Sequence, residues 1–238
     1  MNVDTPSVSV VVPVRDEAAA IGPLVDEIAA VLVGTTFEVI VVDDGSQDGT
    51  DRILLALEAR HPWLRRLHHP KSRGQSTAIR TGVRHARAPL IVTLDGDGQN
   101  PPDQIPRLLA VLEADLTGSL GLVQGQREAR QDSLAKRLAS RFANRVRSAL
   151  LKDGVRDSGC GLKAFRRNAY LDLPFFDHIH RFMPAMMLRE GWDVQTVAVS
   201  HRPRKSGRSK YSNFARGLVG IPDLLGAAWL IMRSGRKG

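Results

Sequence analysis

The sequence holds a single cysteine, Cys160, in 238 residues, which excludes an intrachain disulfide and fits a reducing compartment. Aromatic residues reach only 5%, and no nucleic-acid-binding motif accompanies the positive charge, so a nucleic-acid-binding module is disfavoured and no nucleic-acid partner is expected. No apolar run approaches the roughly 20 residues that a membrane-spanning helix needs. Met1 to Pro6 is polar and the apolar run Val8 to Val14 is only strand-length, so no secretory signal is expected. Internal repeats and low-complexity tracts are missing too. What is present is 42% hydrophobic and 25% charged residues, the composition of an ordinary soluble globular domain, in a chain long enough to bury a full core.

The formal net charge is +9, which points to anionic partners: nucleic acid, an anionic membrane surface or phosphorylated small molecules. The basic residues concentrate late, from Arg127 to Arg147 and from His201 to Lys210. That asymmetry implies an acidic, metal-binding first half and a basic, anion-gripping second half.

The first half alternates strands and helices. Val8 to Val14 is a β-branched buried strand, and Ile21, Leu24, Val25, Ile28 and Val31 then recur at helical spacing until Gly34. Phe37 to Val42 reads as a second buried strand, Thr50 to Arg60 as a helix, Leu64 to His68 as a short strand and Ser76 to Ala86 as a helix. Pro89 to Leu94 is the next strand. This order means a parallel sheet covered on both faces. Ligands bind such sheets beyond the carboxyl ends of the strands, and three polar segments fall there: Pro13 to Glu17, Asp43 to Ser46, and Asp95 to Gln99. Further on, a helix from Pro101-Pro102 to about Glu113, a strand from Gly121 to Gly125 and a long basic helix from Asp132 to Leu151 are expected.

Asp95 and Asp97 stand two apart at a strand end among glycines, a spacing at which two carboxylates can share one hard cation, with Gln99 as a further oxygen ligand or water-mediated contact. An EF-hand is excluded, because positions 6 and 12 counted from Asp95 are Asn100 and Pro106. Asp43-Asp44-Gly45-Ser46 also sets acids at a strand end. It reads equally as a turn in which Ser46 or Asp48 caps the following helix, or as a carboxylate placed to accept the N–H groups of a nucleobase. Glu17 alone would pass as a first-turn acid favoured by the helix dipole.

Together, residues 10–17, 41–50, 73–78 and 94–102 resemble glycosyltransferase family 2 in order and spacing, over roughly the first half of the chain. The resemblance implies an α/β, Rossmann-like nucleotide-diphospho-sugar transferase (GT-A) fold with a mostly parallel sheet and helices on both faces. It also implies a nucleoside pocket at Pro13, Val14, Glu17 and Asp44. Asp95 would face the nucleotide or its sugar, and Asp97 with Gln99 would hold Mg2+ or Mn2+ on the diphosphate. Arg15 stands where many relatives carry an aromatic or polar residue, which leaves the base open. Residues 124–128, Asp157 to Phe165, His180-Arg181-Phe182 and Arg204 to Tyr211 look like the polyprenyl-phosphate branch, the group around dolichol-phosphate mannose synthase.

That branch implies a nucleotide-sugar donor and a polyprenyl-phosphate acceptor. A phosphate monoester, with its second pKa near ~6, is largely dianionic at neutral pH and needs no general base. Its charge must be screened from the donor, and Arg127, Arg137, Ser140, Arg141 and Arg208 are expected to bind it. Arg204 and Lys210 join Asp95, Asp97 and Asp157 as catalytic candidates. Asp157 would orient the sugar, fix a turn, or serve as base toward a hydroxyl in the alternative reading, a soluble sugar or glycan acceptor. Intact Asp95, Asp97 and Gln99 argue against a relative that has lost catalysis.

At the C-terminal end Phe214, Leu218, Ile221, Leu225, Ala228 and Met232 share one helical stripe with basic flanks. The expected organisation is one catalytic domain over 1–212 and an amphipathic helix over 213–238, lying in a membrane interface or docked on the core. Peripheral attachment to the cytoplasmic side of a membrane follows as an expectation. Homo-oligomer formation is left open.

Overall fold

A computed structural model describes residues 5–127, 147, 150–203 and 213–233, with backbone alone over 213–220. Seven strands form one sheet in the order β3-β2-β1-β4-β6-β5-β7. They are β1 (Val8–Val14), β2 (Phe37–Asp43), β3 (Leu64–His68), β4 (Leu90–Thr93), β5 (Leu120–Arg127), β6 (Lys163–Arg166) and β7 (Asp193–Val199). Only β6 runs against its neighbours β4 and β5; the other pairs are parallel.

The strand sequences explain why both faces are covered. Val10, Val12 and Val14 of β1 and Val39 and Val41 of β2 point to one face, while Val11, Ile40 and Val42 point to the other, all buried. A strand apolar on alternate and intervening positions alike must be covered on both sides. α1 (Ala18–Val31), α2 (Thr50–Arg60) and α4 (Ile105–Glu113) cover the first face. The second carries α3 (Gln75–His85), α5 (Arg167–Leu171) and α6 (Met183–Arg189), together with part of the last helix, α7 (Asn213–Arg233). α3 presses closely on the sheet: a Cβ at Gly82 would collide with Val11. That approach brings the first turn of α3 over the carboxyl ends of β1 and β2.

The elements of the first half lie where periodicity puts them, with bounds within a few residues. β5 is longer than expected, and the long basic helix expected over 132–151 lies almost wholly outside the described residues. α7 packs on the core through Ala227 and Ala228, with Leu224, Leu230 and Ile231 partly buried. Asp223 of α7 meets His178 at 2.8 Å, and Arg189 donates to the Leu230 carbonyl. On the outer side Ile221, Leu225, Trp229 and Met232 stay exposed, from 55% to 76%. No helix among the described residues is long and apolar enough to cross a membrane.

Candidate active site

Four loops at the carboxyl edge converge. The first, after β1, is tied to the second, after β2. Asp16 N–H donates to Ser46 Oγ (2.9 Å), Gln47 N–H to Asp16 Oδ1 (2.7 Å), Glu17 N–H to Thr50 Oγ1 (3.0 Å) and Ala18 N–H to Asp48 Oδ2 (3.0 Å). Asp16 adopts a left-handed conformation, φ 55°, unusual outside glycine and held here by its side-chain and backbone bonds to the second loop. Neither residue expected to cap α2 is its N-cap, which is Gly49 in a left-handed conformation without a side-chain cap bond; Asp48 accepts the Thr50 N–H (3.0 Å) from just outside the helix, and the Ser46 hydroxyl accepts from the Asp16 N–H.

Asp44 is buried, and its two oxygens accept from Ser72 Oγ (2.7 Å), Arg73 N (2.8 Å) and Gly74 N (2.9 Å), with His69 Nδ1 at 2.8 Å. Burial alone would raise its pKa, but these hydrogen bonds outweigh it and hold the carboxyl below its ordinary value. Asp44 thus clamps the third loop, residues 69–74. Gly45 lets the second loop sit against it: at φ 74° a side chain is disfavoured, and a Cβ would stand 2.8 Å from Ser72 N. Arg15, the residue at odds with the family pattern, donates to Ser72 Oγ at 3.1 Å and so joins the Asp44 network.

The fourth loop carries the acids. Asp95 Oδ1 accepts from Gln75 Nε2 at 2.7 Å, and Oδ2 lies 3.4 Å from Asn100 Nδ2. Gly161 lies directly against its carboxyl, where any Cβ would collide with it. Burial, then the neighbouring Asp97 charge, push the Asp95 carboxyl up; Lys163, Arg127 and Gln75 oppose them. Asp97 accepts the Gln99 N–H (3.1 Å). The Gln99 amide nitrogen lies 3.4 Å from both His201 Nε2 and the Arg202 carbonyl, and the Arg202 N–H donates to the Gln99 carbonyl (2.9 Å). A pair of crowded carboxylates with an amide and an imidazole beside them suits a hard divalent cation, which would relieve both the desolvation and the repulsion. Among the described residues, the group of three whose donor atoms lie close enough together for one metal is Asp43, Asp51 and His68, not this set. Ser46 already donates to Asp43, however, and Arg66 pairs with Asp51.

The second half of the chain adds a cationic wall. Arg127 at the end of β5 grips Asp157 with two parallel bonds, Nε to Oδ2 (2.7 Å) and Nη2 to Oδ1 (2.8 Å), both side chains largely buried. Lys163 is buried at the start of β6, donates to the Ser158 and Cys160 carbonyls, and has its pKa lowered by burial. Cys160 is buried nearby and its thiol is pushed up, chiefly by burial.

The structure thus brings together Pro13 and Val14 at the end of β1, Glu17 and Asp44 on the first two loops, Asp95, Asp97 and Gln99 on the fourth, and Arg127 with Asp157 beside them. Arg137, Ser140, Arg141, Arg204, Arg208 and Lys210 lie outside the described residues. Gln75, Lys163 and His201 are present at the site without having been singled out by sequence. Gln75 and Lys163 do fall inside segments that carried the family resemblance; His201 had no signal beyond its place in a basic stretch.

The model of the family "Glycosyl transferase family 2" matches residues 9–173, and the chain belongs to that family. It is 34% identical over 238 residues to a dodecaprenyl-phosphate galacturonate synthase of Rhizobium johnstonii, covering 97% of this chain and 69% of that protein. It is 33% identical over 210 residues to an undecaprenyl-phosphate 4-deoxy-4-formamido-L-arabinose transferase of Klebsiella pneumoniae, covering 86% of this chain and 62% of the other. These are polyprenyl-phosphate glycosyltransferases by name, as the second-half motifs led one to expect, and this chain spans only about two thirds of each one's length. Among solved structures, glucosyl-3-phosphoglycerate synthase from Mycobacterium tuberculosis, in complex with Mn2+ and UDP-glucose, superposes with a TM-score of 0.72 at 22% identity, covering 94% of this chain and 79% of that one. A mannosyltransferase from Pyrobaculum calidifontis in complex with GDP-mannose and Mn2+ gives 0.63 at 22% identity, covering 96% and 70%. The GT-A fold expected from sequence is therefore the fold observed.

Proposed function

We propose that this chain transfers a sugar from a nucleotide-sugar to a polyprenyl monophosphate, by direct displacement with inversion at the anomeric carbon. The observation that carries the acceptor assignment is the Arg127–Asp157 pair, read beside the names of the relatives. Asp157, the candidate base for a hydroxyl acceptor, has both oxygens facing one guanidinium. A carboxylate so engaged is poorly disposed to take a proton from a hydroxyl, whereas a phosphate acceptor is already ionised and needs no base.

In this reading the end of β1 and the first two loops bind the nucleoside at Pro13, Val14 and Glu17, with Asp44 holding the third loop in register behind them. Asp95 orients the donor, held by Gln75. Asp97, Gln99 and Asp95 would hold Mg2+ or Mn2+, which supplies charge stabilisation for the leaving nucleoside diphosphate. Two unit charges at ~4 Å repel by about 4 kcal/mol at an effective dielectric of 20, and Arg127, with Lys163 behind it, offsets that repulsion between acceptor phosphate and donor. The basic residues of 137–141 and 204–210, outside the described residues, are assigned the same anion-binding role from sequence alone. The exposed stripe of α7 supports peripheral attachment to the cytoplasmic face of a membrane, where such an acceptor resides.

The test is a panel of UDP- and GDP-sugars with Mg2+ or Mn2+, offered a short polyprenyl phosphate, a soluble glycan or 3-phosphoglycerate, with products read by mass spectrometry. Glycosylated polyprenyl phosphate is expected. Transfer to a soluble hydroxyl acceptor alone would overturn the acceptor assignment.

A further inference from the structure

The geometry points to Gln75 as a positioning residue of the donor site, fixed toward Asp95 by a part-buried hydrogen bond between Ser76 and His180. The proposal rests on the donor reading of Asp95 given above. Gln75 is the first residue of α3, and its side chain is exposed at the mouth of the site, where only the bond to Asp95 Oδ1 (2.7 Å) holds it among the described contacts. An exposed glutamine has many rotamers of similar energy, so its direction must be set by the backbone that carries it.

The next residue supplies that constraint. Ser76 is fully buried, and its hydroxyl lies 2.7 Å from His180 Nδ1, with the His180 N–H at 3.5 Å from the same oxygen. His180 comes from a 3-10 turn, Ile179–Arg181, that is 104 residues away in sequence. Burial holds its ring well toward the neutral form, so Nδ1 can accept the hydroxyl proton. Breaking the pair would leave the buried Ser76 hydroxyl, or the partly buried ring nitrogen, without its partner, so the first turn of α3 has one preferred seat. The preceding Gly74 adopts φ 86°, and Asp177 from the same distant segment approaches it, 3.5 Å from where a Cβ would stand. The 177–180 segment therefore meets the turn on both sides of Gln75, at Gly74 and Ser76, and Gln75 faces Asp95 as a result. In this proposal His180 acts through Gln75.

The experiment uses the full chain with Gln75→Ala, His180→Phe, His180→Asn and the double variant Gln75→Ala/His180→Phe. UDP and GDP are titrated in the presence of Mn2+. Loss of one hydrogen bond to a charged group raises the Kd about tenfold. That rise is expected for Gln75→Ala and for His180→Phe, with the double variant no worse than either, because both remove the same interaction. His180→Asn, which keeps an acceptor near the Nδ1 position, is expected to bind as the wild type does. A second readout works without nucleotide: in the NMR spectrum, Asp95→Asn is expected to shift the Gln75 side-chain amide in the wild-type and His180→Asn backgrounds but not with His180→Phe. Should His180→Phe fail to fold, Ser76→Ala removes the same bond with less change of volume and carries the same expectation. Additive losses in the double variant, or an Asp95-dependent amide shift that persists without the Ser76–His180 bond, would overturn the proposal. If the amide coupling holds while neither nucleotide binds the wild type, the positioning stands and the nucleotide-sugar reading fails.

Discussion

The outer face of α7 gives a prediction whose size follows from exposure. Ile221, Leu225, Trp229 and Met232 recur at three- and four-residue spacing and are 55% to 76% exposed, while Ala227 and Ala228 face the core. Fully burying a large apolar side chain is worth about 1.5–3 kcal/mol, so sinking the exposed part of each into a bilayer interface is worth about 1–2 kcal/mol. Replacing Leu225 and Trp229 together with glutamine thus removes about 2–4 kcal/mol, or roughly a hundredfold in the partition constant. The assay is flotation with vesicles rich in anionic lipid, repeated at rising salt, since the basic residues near the helix add a screened attraction. Thermal stability serves as the control. Both side chains point away from the core, and exposed substitutions of this kind change stability by within about 0.5 kcal/mol. An unchanged partition constant with a folded variant would refute the membrane role of this stripe. A large drop in Tm would show that the stripe belongs to the core instead.

Three further outcomes are expected. Asp97→Ala lowers metal-dependent transfer by at least about a hundredfold, since the charge stabilisation a bound metal supplies is worth several kcal/mol; near-normal turnover with Mn2+ would sink the metal assignment. Asp157→Asn keeps measurable transfer to polyprenyl phosphate, because no base is required, and its main effect falls on the acceptor KM through the loosened Arg127; loss of the chemical step with donor binding intact would instead assign Asp157 as a base. Glu38→Gln destabilises by about 3 kcal/mol, the order found on breaking a buried ion pair, and lowers Tm by roughly 6–12 °C for a chain of this length. Glu38 is fully buried. Burial would raise its pKa, but bonds from the Arg87 N–H, Ser9 and Arg65 and the Arg87 charge hold it below the ordinary value. Its contribution is therefore complete above the unfolded-state range near pH ~4.3 and is lost as pH falls through the lower folded-state value. The wild type should lose this increment in acid while Glu38→Gln does not, and parallel acid-unfolding curves for the two would refute the assignment.

Much of the first half was legible because its strands are buried on both faces. Val8 to Val14 and Phe37 to Val42 are runs that a two-sided parallel strand requires, and the acids at their ends follow the rule that places ligands beyond the carboxyl edge. β6 and β7 were not legible, for physical reasons. β6 is four residues long and opens with Lys163, a charge that becomes tolerable only because the Ser158 and Cys160 carbonyls meet it. β7 is an edge strand with mostly polar, partly exposed residues, Asp193-Val-Gln-Thr, before its buried end, so no face of it announces a core. The Asp44 clamp was invisible for another reason. Four donors converge on one carboxylate only once residues 69–74 fold back over it, and the residues involved are ordinary turn formers.

The reversal of β6 decides the chemistry of the site more than any single motif does. Were the strand between β4 and β5 parallel to them, its first residue would lie at the opposite edge of the sheet, and the turn before it with it. Running antiparallel, it delivers Gly161 against the Asp95 carboxyl, where no side chain would fit, and sets Lys163 beside Cys160 at the same edge. It also carries the preceding turn to the end of β5, where Asp157 meets Arg127. Motifs 30 or more residues apart in sequence, each unremarkable as an isolated charge, become one electrostatic unit by that step. The acids would demand a cation, and the Arg127–Asp157 pair leaves a net neutral unit until an anion competes for the guanidinium. An acceptor phosphate brings the charge that can draw Arg127 from Asp157, whereas a neutral hydroxyl brings nothing to exchange for that pair. These grounds support the proposed anionic acceptor by a route that composition and spacing alone could not supply.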